Sequence, residues 1–155
     1  MSLLRRASYG ALGGVSGTIV LTGFRKILTA AGLVGTTAPE QVIGRLEELG
    51  LLKSWSPAAR RALTAAAHLA YGTGIGTSLG LLRREQGDLA EEVMVGSALG
   101  ILAWGVNWSS VLPLTGVHRP PWRERTPKVL LPVLDHVVYG AVWGLMYRAL
   151  RRKPV

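Results

Sequence analysis

The chain has 155 residues, of which 17% are charged, with a formal net charge of +9 and no cysteine. The charged fraction lies below the roughly 25% of an ordinary globular protein, and the lack of cysteine excludes disulfide bonds and thiolate metal sites. The basic residues stand in small clusters at the ends of apolar segments. This argues against a nucleic-acid partner and is typical of a protein in a bilayer with anionic headgroups.

Four apolar segments are long enough to cross a bilayer. They comprise residues 7–24, 62–82, 93–112 and 129–147. The first and third contain no charged residue, so neither has the polar stripe that a helix of a soluble bundle needs. At 1.5 Å per residue, about eighteen residues cover about 27 Å of a hydrocarbon core roughly 30 Å thick. We therefore predict an all-α membrane protein with four transmembrane helices, the first of them retained rather than cleaved as a signal peptide.

Proline and hydroxyl residues mark where these segments begin and end. Ser56 before Pro57 reads as the start of the second helix, and Thr126 before Pro127 repeats the signal for the fourth. Pro113 is expected to end the third helix.

A shorter helix is predicted between the first and second segments. In residues 39–52, the apolar side chains Val42, Ile43, Leu46 and Leu49 share one helical face. Such an amphipathic helix is expected at the membrane interface or folded over the other helices.

The two halves of the chain resemble each other at an offset of 68 residues. The seven identities are His68/His136, Tyr71/Tyr139, Gly72/Gly140, Gly76/Gly144, Leu82/Leu150, Arg83/Arg151 and Arg84/Arg152. Gly10 and Gly14 match Gly96 and Gly100 more weakly. We predict one membrane domain, residues 1–155, made of two helical hairpins (about 7–84 and 93–152). A repeat of two spans keeps its orientation, so the hairpins should be parallel, related by an axis along the membrane normal.

The distribution of basic residues favours cytoplasmic termini. In that orientation the inner flanks, which include Arg5, Arg6, Arg83 and Arg84, are short and dense in positive charge. The outer connections carry slightly more basic residues, but most of these are spread over the long stretch of residues 25–61. Short flanks weigh more in the positive-inside rule.

Glycines recur at four-residue spacing in every predicted span. The ladders contain Gly10, Gly14, Gly72, Gly76, Gly96, Gly100, Gly140 and Gly144. This spacing places each ladder on one helix face, where the missing side chains let two backbones approach closely. We expect these glycines to pack helices together, the alternative being that they make room for a ligand.

Polar residues inside the apolar segments form the candidate functional layer. They are His68, Tyr71, Asn107, Asp135, His136 and Tyr139. Ionisable residues at membrane depth are costly and usually face the protein interior. Asp135 adjoins His136 but points about 100° away on a helix, so we expect it to pair with another helix. His118 stands in a Pro-rich loop and is expected to be solvated.

Three interpretations of the layer stay open. The histidines could hydrogen-bond backbone carbonyls or tyrosine hydroxyls and join the two halves. With Asp135 they could relay protons or ions. They could also ligate haem b, because two histidines at equal depth beside glycines resemble haem-binding helices. No nucleophile motif, phosphate-binding loop or carboxylate-rich metal site is recognisable, so we predict no catalytic or metal-binding residues.

Several residues of the second half of the chain form a recognisable pattern: Gly96, Gly100, Pro113, Leu114, Gly116, Pro120, Pro121, Asp135, His136 and the arginines that close the last span. This pattern resembles that of the YagU-like family of small bacterial inner-membrane proteins. The first half departs from the family, because the connection between its first two spans is shorter and contains less proline than is expected for the family. The resemblance implies a multi-pass protein of the bacterial inner membrane and no activity for particular residues.

The sequence therefore favours a non-enzymatic structural or assembly component of the membrane. Its expected partners are the lipid bilayer and a second copy of the chain or another membrane protein. The alternative is a small transporter or channel that moves protons or small solutes past His68, His136 and Asp135. No cofactor is expected on the leading interpretation.

Overall fold

The regular structure of the chain is helical. A computed structural model describes residues 1–33, 35–84, 87–117, 119–123 and 126–152, and no strand occurs among them. The helices are α1 (Leu3–Ala30), α2 (Ala38–Glu48), α3 (Pro57–Leu82), α4 (Leu89–Val106), α5 (Leu112–Leu114) and α6 (Thr126–Arg151). A π-helical turn, Asn107–Val111, joins α4 to α5, and a 3₁₀ turn covers Pro121–Arg123. The all-α prediction is confirmed.

The helix starts follow the signals in the sequence. The Ser56 side chain accepts the backbone N–H of Ala59, and proline occupies the first turn of α3. α6 begins at Thr126, as predicted. Before α2, Thr37 and Glu40 form a capping box. These contacts satisfy backbone N–H groups that the first turn of a helix leaves unpaired.

Several predicted boundaries differ from the helix ends. α1 runs from Leu3 to Ala30 instead of covering residues 7–24, because no proline or capping residue stops it at Arg25 and Lys26. Pro113 does not end the third segment, since the chain stays helical to Leu114. Proline cannot donate a backbone hydrogen bond and crowds the carbonyl four residues earlier. The chain relieves this with the π turn, in which the N–H of Leu112 reaches the carbonyl of Asn107, five residues back.

α1 and α6 lie at the centre of the structure. α1 packs against α3 on one side and α6 on the other, while α4 packs against α6. α2 folds back over the helices and contacts α3, with Ile43 buried. It covers Ala38–Glu48, a shorter range than the predicted 39–52.

Glycines form the contacts within both outer helix pairs. In the α1–α3 pair, a Cβ on Gly76 would lie 2.5 Å from the Cα of Gly14. In the α4–α6 pair, a Cβ on Gly96 would overlap the carbonyl oxygen of Gly140. All eight glycines of the predicted ladders lie at such backbone contacts or against Thr18. The helices therefore touch main chain to main chain.

Two helical stretches among the described residues are long and apolar enough to cross a membrane. They are Leu89–Leu114, with a mean hydropathy of 1.4, and Leu130–Arg151, with 1.3. Glycine, serine and threonine are numerous in α1 and α3, and arginines lie near their ends, which lowers the hydropathy of these two helices. By length and hydropathy, two of the four predicted spans are therefore candidates among the described residues.

Candidate functional site

A partly open cavity of about 350 Å³ lies where α1, α3 and α6 meet α2 and the π turn. α1 and α6 line its inner wall, α3 and the π turn line its two sides, and the first turn of α2 covers one end. The lining residues are Leu21, Arg25, Thr37, Ala38, Pro39, Val42, Ala67, His68, Tyr71, Asn107, Trp108, Leu112, Pro132, Asp135 and His136. Most of this surface is apolar, and a few polar groups converge on it, as in many sites for small molecules.

The cavity brings together five of the six residues of the predicted layer. His68, Tyr71, Asn107, Asp135 and His136 line it. Tyr139 does not: its side chain is buried and its hydroxyl donates to the carbonyl oxygen of Gly72, 2.6 Å away. Tyr139 belongs instead to the helix packing below the cavity. His118 lies outside the described residues.

An ion pair that the sequence analysis missed lies at the centre of the site. As expected, Asp135 pairs across helices, and its partner is Arg25 of α1. The Asp135 side chain is only 2% exposed. Its Oδ1 and the Nε of Arg25 are buried without a hydrogen-bond partner. Arg25 follows an apolar run directly, so its position in the sequence resembles that of an arginine that reaches the lipid headgroups.

The two histidines make different contacts. The Nδ1 of His136 lies 2.7 Å from the carbonyl oxygen of Pro132, one turn earlier in α6. Because a carbonyl only accepts, this nitrogen donates, and in a neutral ring Nε2 is then left as an acceptor. The Nδ1 of His68 lies 3.5 Å from the hydroxyl of Thr22 in α1. In the described part of the chain, no three His, Asp or Glu residues are grouped so that they could hold a metal ion.

An aromatic ladder on α6 closes the cavity toward the middle of the protein. Three side chains at four-residue spacing donate to three carbonyls of α3 that also have four-residue spacing. The pairs are Tyr139 with Gly72 at 2.6 Å, Trp143 with Gly76 at 3.2 Å, and Tyr147 with Gly80 at 3.0 Å. Trp143 and Tyr147 are fully buried and stack at 5.0 Å between ring centroids.

Two further glycines of α1 make room for this ladder. A Cβ on Gly13 would lie 2.8 Å from Trp143, and one on Gly17 would lie 2.8 Å from Tyr139. Tyr139 was predicted as part of the polar layer, whereas Trp143 and Tyr147 were not predicted as site residues. Their four-residue spacing was the available signal, because it places all three rings on one face of a helix.

A second buried carboxylate lies at the opposite end of the helices. Glu92, at the start of α4, is 0% exposed and accepts the backbone N–H of Gly87 at 2.8 Å. It also accepts from Arg83 at 3.1 Å, and Arg83 donates to the half-exposed Glu91 as well. Burial lowers the pKa of the Arg83 guanidinium, but hydrogen bonds to both carboxylates more than offset this and hold it above its ordinary value. Glu92 stands in a charged helix flank, and nothing in the sequence there distinguishes it as a buried residue.

No protein-family model, no curated protein and no solved structure matches the chain. The resemblance to the YagU-like family therefore rests on the motif residues alone and stays a prediction.

Proposed function

We propose that the chain is a bacterial inner-membrane protein whose four long helices all cross the bilayer. Length supports this, because α1 with 28 residues and α3 with 26 reach about 42 and 39 Å at 1.5 Å per residue. Exposure supports it too. The most apolar 18-residue window of Leu89–Leu114 is only 17% buried inside the protein. The central helix of a soluble protein would be mostly buried, so this apolar surface fits contact with lipid.

The contacts of the two outer helix pairs support the predicted duplication. Gly14 of α1 faces the Gly72 carbonyl and the Gly76 Cα, just as Gly96 of α4 faces the Gly140 carbonyl and the Gly144 Cα. By these contacts, Gly14 in the first half corresponds to Gly96 in the second. The weaker sequence match had instead paired Gly10 with Gly96, which differs by four residues, or about one helical turn. Two similar hairpins side by side, with both termini in the cytoplasm, remain our proposed topology.

Within the membrane we assign the chain a non-enzymatic role in assembly. One observation carries this proposal. A stripe of small residues at four-residue spacing runs along α3 and is exposed throughout: Ala62, Ala66, Ala70, Gly74 and Ser78. A Cβ on Gly74 would meet nothing within 4 Å. In membranes, such stripes let a second helix approach closely. The glycine ladders described above are already used inside the structure, whereas this exposed surface is available to a second copy or another membrane protein.

Gly74→Leu is expected to break this assembly without unfolding the chain. The new side chain projects into open space in the single molecule but fills the stripe that a partner helix would contact. The matched control is Gly105→Leu on α4, where a Cβ also meets nothing within 4 Å. Cross-linking in native membranes and light scattering in detergent should show that Gly74→Leu lowers the oligomer fraction at least tenfold. Gly105→Leu should leave it unchanged, and equal behaviour of the two variants would refute assembly through α3.

Transport is the second candidate, because one cavity reaches Asp135 and both histidines. The aromatic ladder argues against it, since Trp143 and Tyr147 are 0% exposed and fill the space between this cavity and the other end of the helices. We expect proteoliposomes loaded with a pH-sensitive dye to leak protons no faster than empty vesicles. A faster leak that Asp135→Asn abolishes would favour the transporter over the assembly component.

A further inference from the structure

The exposed part of the cavity lining lies on α3, across from the π turn that follows α4. α3 packs on α1 and α4 packs on α6, and α3 is not closely packed on α4. Toward the middle of the protein, Leu79 of α3 and Leu99 of α4 pack on the aromatic ladder. Among the described residues that line the cavity, only Ala67 and Tyr71 of α3 are exposed. In the proposed topology this exposed part, the mouth of the cavity, faces lipid.

The polar groups at the inner wall lack hydrogen bonds that a ligand could supply. Asp135 is 2% exposed, and its Oδ1 is a buried acceptor without a donor. The Nε of Arg25 is a buried donor without an acceptor. Leaving such groups unpaired costs about 1–3 kcal/mol each, and more for charged ones. A ligand that fits must therefore bring both a donor and an acceptor.

The charge of the cavity's inner wall and its depth in the proposed membrane span favour a ligand with an uncharged head group. Arg25 and Asp135 compensate each other, so the inner wall offers no excess charge to a charged ligand. Asp135 lies nine residues into α6, which is about 14 Å along the helix axis at 1.5 Å per residue. A charged head at such a depth would lose much of its hydration. A hydroxyl group both donates and accepts, and it carries no charge.

From these features we infer that the cavity binds an uncharged, hydroxyl-bearing membrane lipid of the diacylglycerol type, which enters from the bilayer between α3 and α4. The hydroxyl donates to Asp135 and accepts from Arg25, and the chains leave past Ala67 and Tyr71. Apolar side chains such as Leu21, Trp108 and Leu112 surround the glycerol backbone. A volume of about 350 Å³ holds the head and the first chain carbons. This inference rests on the proposed membrane topology.

Native mass spectrometry of the full chain in detergent, titrated with 1,2-dioctanoylglycerol, tests the inference. Wild type is expected to bind one molecule per chain. Ala67→Phe should fill the mouth and weaken binding at least tenfold. Ala65→Phe is the matched control, since Ala65 is also exposed on α3 but does not line the cavity. Dioctanoylphosphatidylcholine and free glycerol are the comparison ligands, and both should bind at least tenfold more weakly than dioctanoylglycerol.

The contrary outcomes are distinct. Equal binding of phosphatidylcholine would refute the uncharged head, and equal binding of glycerol would identify a site for a free polyol. If Ala65→Phe and Ala67→Phe weakened the binding of dioctanoylglycerol equally, or if neither weakened it, the lipid would bind somewhere other than this cavity. Extraction of membranes with alkaline carbonate tests the topology separately. Protein that stays in the membrane but binds no dioctanoylglycerol refutes only the ligand, whereas protein released by carbonate refutes both proposals.

Discussion

Gly76→Ala is expected to destabilise the protein by about 3 kcal/mol, the upper range for overpacking a tightly packed contact. The added Cβ would lie 2.5 Å from both the carbonyl oxygen of Gly10 and the Cα of Gly14. These are main-chain atoms of α1, which cannot turn aside as a flexible side chain does. Relief requires α1 and α3 to separate. That movement would also strain the bond from Trp143 to the Gly76 carbonyl. Unfolding in mixed micelles, followed by circular dichroism, measures the loss.

The control for this prediction is Gly74→Ala, two residues away on the same helix. In the single molecule a Cβ there meets nothing within 4 Å, so in micelles that hold the dissociated chain the free energy of unfolding should change by no more than about 0.5 kcal/mol. The two substitutions add the same methyl group to the same helix and differ only in the face that receives it. If both cost the same, the close approach of α1 to α3 does not determine stability.

The aromatic ladder and the glycines depend on each other. Glycines on α1 and α3 let the helix backbones approach closely, and Gly13 and Gly17 leave room beside α1 for the rings of Trp143 and Tyr139. The buried Tyr and Trp polar groups need acceptors, which the α3 carbonyls provide. This packing fills the space beside the cavity with buried rings, which supports the proposed binding pocket over a channel.

Local signals in the sequence predicted much of the fold. Ser56 and Thr126 mark the starts of α3 and α6, because helix capping depends on a few neighbouring residues. The glycine ladders indicated close packing from their spacing alone. Pro113 misled the prediction, since a π turn can absorb a proline that would otherwise end a helix. Whether it does so depends on how the following residues pack, which the sequence does not show directly.

The candidate site was harder to predict because its central contacts join distant parts of the chain. Asp135 and Arg25 are separated by 110 residues, and nothing in the neighbourhood of Arg25 distinguishes it from an arginine that reaches the headgroups. Glu92 was missed for the same reason, since it stands in a charged flank and is buried only because Arg83 and Gly87 fold over it. By contrast, His68 and His136 were recognisable, because ionisable residues within apolar helices are rare.

Asp135→Leu is expected to cost about 3–5 kcal/mol, the usual penalty for removing one partner of a buried ion pair. The loss comes mainly from the Arg25 guanidinium, which stays partly buried beside the cavity with no counter-charge. The double variant Arg25→Met/Asp135→Leu should recover most of this loss, since replacing both partners with apolar residues of similar size is often neutral. Unfolding in micelles would give the coupling energy of the pair by a double-mutant cycle.

The surface pair of Arg45 with Glu48 is the reference for this cycle. Both of its side chains are well exposed, at 43% and 68%, so Glu48→Ala should change stability by less than about 1 kcal/mol. Additive effects of Arg25→Met and Asp135→Leu would show that the two residues do not stabilise each other, and the cavity would then lose the polar centre that we assign to it. A large coupling would show that the ion pair stabilises the helices. Weaker binding of dioctanoylglycerol by Asp135→Leu than by wild type would support its place in the proposed binding site.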